Sequence, residues 1–386
     1  MTAPQEQKGL GALEAYIAWR SIKHSEDQDA IAAWLALKLY PLWAIQSFTE
    51  LDQTTPLWVE AVLPHVETAY LQSQRVAAVF AEDVRYASLA LEDPLPMELP
   101  DVQQPEDVPA ARFDAVHVPR RRVRRDRNRA VVPVLDDVDA EDLEPVTFDP
   151  FPRDDAALSL VISGNSKVKA LMPAPEDEAM YSGLSNSSGA AIRQAMNGGR
   201  NATGRVVKFD RKIVGYARVT DGNPCWYCAL LASRGAVFAK DSFTKGGRTR
   251  FDGTLTKADH EFEAPKDGPE LPEGYSNAAK VHNHCRCQLR PVYANETSYA
   301  RTRFEAKRDE EAQFYFDQWE AVSREWYWLS NREKLRKFRD QYRPFQRKPA
   351  DLTDIRRELE DRIEALSDPL SPQREWANAQ LSQLAS

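Results

Sequence analysis

Four cysteines and two histidines crowd into two short clusters, Pro224-Cys225-Trp226-Tyr227-Cys228 and His282-Asn283-His284-Cys285-Arg286-Cys287. These are all the cysteines in a chain of 386 residues with six histidines. Thiolate sulfur and imidazole nitrogen are the donors that a borderline-soft cation such as Zn²⁺ takes, four at a time in a tetrahedron. The gap between Cys225 and Cys228 lets one tight turn present two thiolates. His282 and Cys285 repeat that gap, with His284 and Cys287 close by. Six candidate ligands, Cys225, Cys228, His282, His284, Cys285 and Cys287, therefore compete for four positions. Residues 229–281 between the pairs are too many for a compact zinc finger, so a metal here is expected to pin the ends of a sizeable loop. Two disulfides, or inert buried thiols, are the other readings of the same residues. The N-terminus has no apolar signal-peptide core, so the chain is expected to stay in a reducing cytoplasm, where disulfides are rare.

A catalytic zinc keeps one position open and needs a general base nearby. Glu261 and Glu263 are the candidates, but they fall in a polar, loop-like stretch that gives them no fixed aim. A closed structural site is the expectation. The run His282-Asn283-His284 also suggests an HNH-like nuclease, with Asp259 or Glu261 as the acid. That motif, however, is spread over a ββα unit rather than three successive residues. His24, His65 and His117 have no placed nucleophile partner. The chain is expected not to be an enzyme; a zinc-containing HNH-like nuclease or other DNA-acting enzyme is the alternative.

The surrounding elements read as mainly α with a small α+β zinc-binding core, flanked by helical N-terminal and C-terminal segments. Residues 1–91 form a helical region. Leu13 and Ile17 begin an apolar stripe, and Ile31, Trp34, Leu35 and Leu39 continue it in a second helix capped at Ser25 or Asp29. Pro56 suits the first turn of a third helix, which Pro64 is expected to kink or split. Residues 92–155 are a Pro-rich charged linker without period. Inside it seven arginines fall in ten residues, Arg120, Arg121, Arg122, Arg124, Arg125, Arg127 and Arg129, followed by the acids Asp136 to Glu144. Such a cluster can grip phosphates or pair with its own acidic neighbour.

Residues 156–297 form the core around the cysteines. A helix over 187–196 is expected to end at Gly198-Gly199, a new helix to start at Asn201, and strands to form near Val214–Val219 and Gln288–Tyr293. Cys228 to Gly235 reads as one to two helical turns closed by Gly235. Residues 240–280 read as a surface loop. Residues 298–386 are a helical extension, with aromatics such as Phe314, Trp319, Trp328 and Phe338 among alternating charges. These are expected to be helix core or docking surface. The formal net charge is −8, so the whole chain has no global attraction for nucleic acid. No apolar run approaches the ~18 residues of a membrane helix.

The series Ser187, Gly189, Arg193, Asn197-Gly198-Gly199-Arg200, Asp210-Arg211, Gly215-Tyr216-Ala217-Arg218-Val219 and Asn223-Pro224-Cys225-Trp226-Tyr227-Cys228 resembles the MuF-like minor head proteins of tailed phages. The likeness is closest to the form found in phages of actinobacteria. That family pairs a Cys-x-x-Cys knuckle with a His-x-x-Cys-x-Cys cluster and a Pro-Val-aromatic exit, matched here by His282, Cys285, Cys287 and Pro291-Val292-Tyr293. The resemblance covers residues 155–293. It implies a minor capsid, head-morphogenesis protein with structural zinc, and it places His284 behind His282 as a ligand. It also implies assembly in the host cytoplasm into a virion, in the head interior or at the portal vertex. The partners would be the portal protein, capsid and scaffold components, and packaged DNA through the arginine cluster, with no membrane.

Overall fold

Along the first long helix, Ile17, Ser21, His24, Gln28, Ile31, Leu35 and Leu39 recur at intervals of three or four, and every one is buried. That spacing paints a single stripe on an α-helix, so the segment folds as one unbroken element, α1 (Glu14–Leu42). The computed structural model describes residues 12–89, 95–102, 145–210, 212–235, 238–239, 285–293 and 308–385. No cap forms at Ser25 or Asp29. Ser25 Oγ instead donates to the carbonyl of Thr220 at 2.8 Å, because the polar middle of the stripe faces other elements with which it can hydrogen-bond.

The second helix, α2 (Leu51–Ser88), begins five residues before Pro56 and runs through both Pro56 and Pro64. Both prolines are exposed, so the carbonyl each leaves without a helical N–H faces water and the helix continues. After the linker come α3 (Arg153–Ser163), α4 (Asn165–Leu171) and α5 (Glu176–Phe209). Here too the expected break is absent: α5 passes through Gly198 and Gly199 without interruption. A Cβ on Gly198 would lie 2.9 Å from the carbonyl carbon of Tyr70 in α2 and 3.2 Å from its Cα, and closer still to its oxygen. The glycine pair is therefore where two helix backbones touch, rather than a terminus. Helices α1, α2, α3, α4 and α5 share one core built on Leu35, Trp43, Trp58, Val66, Ala195 and Met196.

The described residues are mainly α-helical with one small sheet. Three strands, β1 (Ile213–Val219), β2 (Phe238–Ala239) and β3 (Gln288–Tyr293), lie in the order β2-β1-β3, all antiparallel. Between β1 and β2 lies α6 (Trp226–Ala232), and Gly235 with φ of +62° follows it, as expected of a closing glycine. The sheet packs on the ends of α2 and α5 through Phe80, Val84, Val207, Tyr216, Leu289 and Tyr293. At that junction Asp210 is buried. It pairs with Arg85 of α2, and it accepts from the Tyr293 hydroxyl at 3.3 Å and from the Lys212 N–H at 2.9 Å. The described ends of the linker are packed as well. Met97 bridges to Val146, and Met97 and Phe148 lie against the same core.

Four more helices follow: α7 (Glu310–Glu325), α8 (Asn331–Gln341), α9 (Leu352–Ala365) and α10 (Pro372–Ala385). α9 and α10 return to the start of the chain, where Leu359 and Trp376 pack with Tyr16 and Tyr86. Glu358 accepts from the N–H groups of Ala15 and Tyr16 at 3.0 and 3.1 Å, supplying the N-terminus of α1 with the acceptor its own sequence lacks. One turn on, Arg362 donates to the carbonyls of Tyr86 and Ala87 at the end of α2, both at 3.1 Å. One carboxylate and one guanidinium thus complement two helix dipoles of opposite sense.

Candidate metal centre

The register of the sheet decides which cysteines meet. Val219 pairs with Gln288, so the chain leaving β1 and the chain entering β3 lie side by side at one end. Beyond β1, Thr220 and Asp221 shape a turn: Gly222 N–H donates to Thr220 Oγ1 at 3.3 Å and Asn223 N–H to Asp221 Oδ1 at 3.2 Å. Gly222, with φ of +80°, reverses the chain towards Cys225. Cys225 is the N-cap of α6, and its sulfur accepts from the Cys228 N–H at 3.4 Å. Cys285 and Cys287 precede β3 on the adjacent chain.

The sulfurs of Cys228, Cys285 and Cys287 lie within 4.8 Å of one another, all three residues are buried, and Cys225 packs against them. Cys228 and Cys285 are 3.6 Å apart and all four cysteines are free thiols. With zinc–sulfur bonds of ~2.3 Å, the edge of a regular tetrahedron is about 3.8 Å, so this spacing suits a common metal ligand pair. The buried cluster can bind a metal ion. Of the other expected ligands, His282 and His284 lie outside the described residues, as do Asp259, Glu261, Glu263 and the arginines 120–129.

Two guanidinium groups stand beside the sulfurs. Arg200, 2% exposed, rises from α5 immediately after the glycine pair. Its Nε donates to the carbonyl of Cys287 at 3.0 Å. Its Nη2 donates to the carbonyl of Cys285 at 2.8 Å and lies 3.6 Å from the Cys285 sulfur. Its Nη1 is held by Asn197 Oδ1 at 2.9 Å. Arg218 of β1 presents buried Nε and Nη1 atoms with no hydrogen-bond partner among the described residues. Burial alone would lower the Arg218 pKa, but the sulfur charges of Cys228, Cys285 and Cys287 raise it. Hydrogen bonds from Cys228 and Cys287 pull the Cys285 thiol well below its ordinary range against burial, with Arg200 and Arg218 adding to the effect. Cys228, bonded to Cys225, is pushed up. Among the described residues the grouped donors are all sulfur, and guanidinium charge stands beside them.

Residues 160–314 match the model of a family described as VG15 protein. It is a phage protein family, and the matched stretch, under half the chain, holds α5, all three strands and both cysteine pairs. No curated protein and no solved structure matches the chain. Among the described residues no helix is long and apolar enough to cross a membrane.

Sequence reasoning missed Arg200 and Arg218. The motif Asn197-Gly198-Gly199-Arg200 was the available signal, yet paired glycines usually mark a helix end. It also missed how the C-terminal helices hold the knuckle. Leu230 of α6 packs with Val322 and Phe338, and Ala229 with Tyr315. Tyr342 donates its hydroxyl to the carbonyl of Pro224 at 2.5 Å. Arg347 donates to the carbonyl of Thr220 at 2.8 Å and pairs with Glu311 at 3.0 Å.

Proposed function

We propose that this chain is a structural, non-catalytic protein of a tailed-phage virion: a MuF-like minor capsid protein of head morphogenesis that associates with the portal. In this reading Cys225, Cys228, Cys285 and Cys287 hold one Zn²⁺ as a closed clasp, with Cys225 rather than His282 or His284 as the fourth ligand. The single observation that carries it is the coincidence of the phage-family match with the buried thiol cluster: the matched residues contain both cysteine pairs and the helix that clamps them. The N–H of Cys228 donating to Cys225 sulfur supports the choice of Cys225, since such a bond stabilises a thiolate ligand. A metal binding only the folded chain contributes its affinity directly to stability, which suits a protein confined in a crowded head. The arginines 120–129 would be available to packaged DNA or to the portal.

The test has two parts. Elemental analysis of purified protein should give one zinc per chain, lost in Cys225→Ser and in Cys228→Ser but retained in His282→Ala and His284→Ala. Co-expression with the portal protein and capsid should place the chain in assembled procapsids. Assembly indifferent to deletion of the gene, with virions lacking the protein, would refute the virion role. Zinc lost in His282→Ala and kept in Cys225→Ser would refute the ligand assignment alone.

A further inference from the structure

The turn between α7 and α8 carries two exposed rings. Tyr327 is 74% exposed and Trp328 is 61% exposed, and they meet edge to face with centroids 5.1 Å apart. They are held rigidly. Trp326 packs edge-on to Trp328 at 5.5 Å and into the core of Val322, Leu335 and Phe338, while Ser330 and Glu333 close a capping box at the start of α8. The residues that follow are strongly basic: 326–348 contain eight Lys or Arg and two acids, a net of +6 in a chain of −8. Both acids are engaged, Glu333 by Ser330 and Asp340 by Arg339 at 3.1 Å. Arg347 is turned inward onto Glu311, and Lys348 pairs with Glu310 at the surface.

What remains outward is ordered. Arg332, Arg336, Arg339 and Arg343 recur at steps of four, three and four residues, and all four are exposed. Leu335 and Phe338 occupy the adjoining, packed face of α8, and Tyr342 packs just after it. Among the described residues Arg332, Arg336 and Arg343 have no ion pair. Lys337 lies over the Trp326 ring at 4.4 Å, carrying positive charge to the aromatic end. On α8 the stripe is Arg332, Arg336 and Arg339, spanning about 10 Å at 1.5 Å per residue, with Arg343 just beyond the helix end.

We propose that this face binds single-stranded nucleic acid, with the arginine stripe on successive phosphates and Tyr327 and Trp328 stacking on bases. Arginine matches phosphate oxygens with two parallel hydrogen bonds, and every base offers a face to an aromatic ring. A protein partner fits the surface less well. Protein interfaces have a charge-depleted centre, whereas here the exposed rings lead into a segment of net positive charge. The exposed acids Glu333 and Asp340 fall among the cations, yet the segment keeps a net charge of +6. This inference uses neither the thiol cluster nor the virion reading and stands if either fails.

The experiment is fluorescence anisotropy of the full-length protein with labelled 20-mers of dT and of U, a 20-base-pair duplex and a poly-glutamate peptide, across a salt series. The expected result is binding to the 20-mers with a log–log salt slope of about −3 for four phosphates. Tyr327→Ala with Trp328→Ala should weaken binding roughly 5–150-fold for each base unstacked. Arg332→Ser with Arg336→Ser should reduce the slope by about 1.4. Circular dichroism should be unchanged in both variants, because the replaced side chains are exposed. Equal use of dT and U marks stacking without sugar readout, and a preference for one names the nucleic acid. Four results overturn the proposal: no binding at low salt; binding untouched in both variants but lost when the arginines 120–129 are replaced; tighter binding to the duplex that ignores Tyr327 and Trp328; or preference for poly-glutamate, which would mark an acidic protein as the partner.

Discussion

Replacing Gly198 with alanine should destabilise this protein, against the usual sign of the change. In a helix interior glycine is about 1 kcal/mol worse than alanine, so Gly→Ala at an open position is stabilising. At Gly198 the new Cβ would stand 2.9 Å from the carbonyl carbon of Tyr70 and 3.2 Å from its Cα. Carbon atoms rest at about 3.5–4.0 Å, so α2 and α5 would have to separate by at least ~0.6 Å where both are packed in the main core. The obstacle is backbone and cannot rotate away, so the upper part of the ~1–3 kcal/mol overpacking range applies, with further loss as neighbours lose contact. After the propensity gain, the net cost is about 2 kcal/mol or more. Gly199→Ala is the internal control. Its Cβ would meet Ser73 Oγ at 2.8 Å, Gln288 Oε1 at 2.9 Å and Gln28 Nε2 at 3.0 Å, all side-chain atoms that can shift. It should cost less than Gly198→Ala, by loosening hydrogen bonds. Urea denaturation followed at 222 nm would measure both. A neutral or stabilised Gly198→Ala would refute the close-approach argument and return the pair to an ordinary helix interior.

Arg200→Gln leaves the carbonyls of Cys285 and Cys287 short of a buried donor, which should cost about 2–6 kcal/mol from two groups at ~1–3 each. The same change should weaken zinc retention against a chromophoric chelator, and unchanged retention would remove Arg200 from the support of the cluster. His24 is stacked on Phe80 at 4.2 Å with both ring nitrogens unpartnered among the described residues, and burial, aided by Arg20, holds its pKa well below the ordinary value. The unfolded chain therefore takes up a proton below about pH 6.5 that the folded chain refuses, so stability is whole above that pH and falls below it, by up to ~1.4 kcal/mol per unit. His24→Leu should flatten this acid limb in a melting series, and an identical limb in the variant would contradict the assignment. Glu358→Gln keeps an acceptor for only part of the α1 N-terminus and removes its charge. It should cost about 0.5–2 kcal/mol, whereas a surface glutamate would cost nothing measurable.

Much of this was legible in the residues alone. The helical stripe from Ile17 to Leu39, the alternation in β1 and the paired cysteines each depend on periodicity or spacing within one segment, and such signals survive without knowledge of what packs where. The same local logic failed wherever a residue type has two uses. Pro56 read as a helix start and Pro64 as a kink or split, yet both lie on the exposed side of α2, where water satisfies the freed carbonyls. Gly198 and Gly199 read as a cap, yet they mark contact with Tyr70 and Gln288. Ser25 read as a cap, yet it serves Thr220, 195 residues away. Nothing local marks Glu358 and Arg362 for their roles, yet they cap α1 and α2.

The thiol cluster shows the division most plainly. Its donor chemistry was in the sequence by itself, because only cysteine and histidine offer such atoms and they occur together in two short runs. Which of them meet was decided by the tertiary structure. The β1–β3 register sets the two knuckles side by side, the glycine pair lets α5 approach, and Arg200 then reaches the backbone of Cys285 and Cys287. Spacing along a chain limits which neighbours can share an ion. Only the packing of distant segments brings sulfurs 57 residues apart to 3.6 Å and sets positive charge beside them.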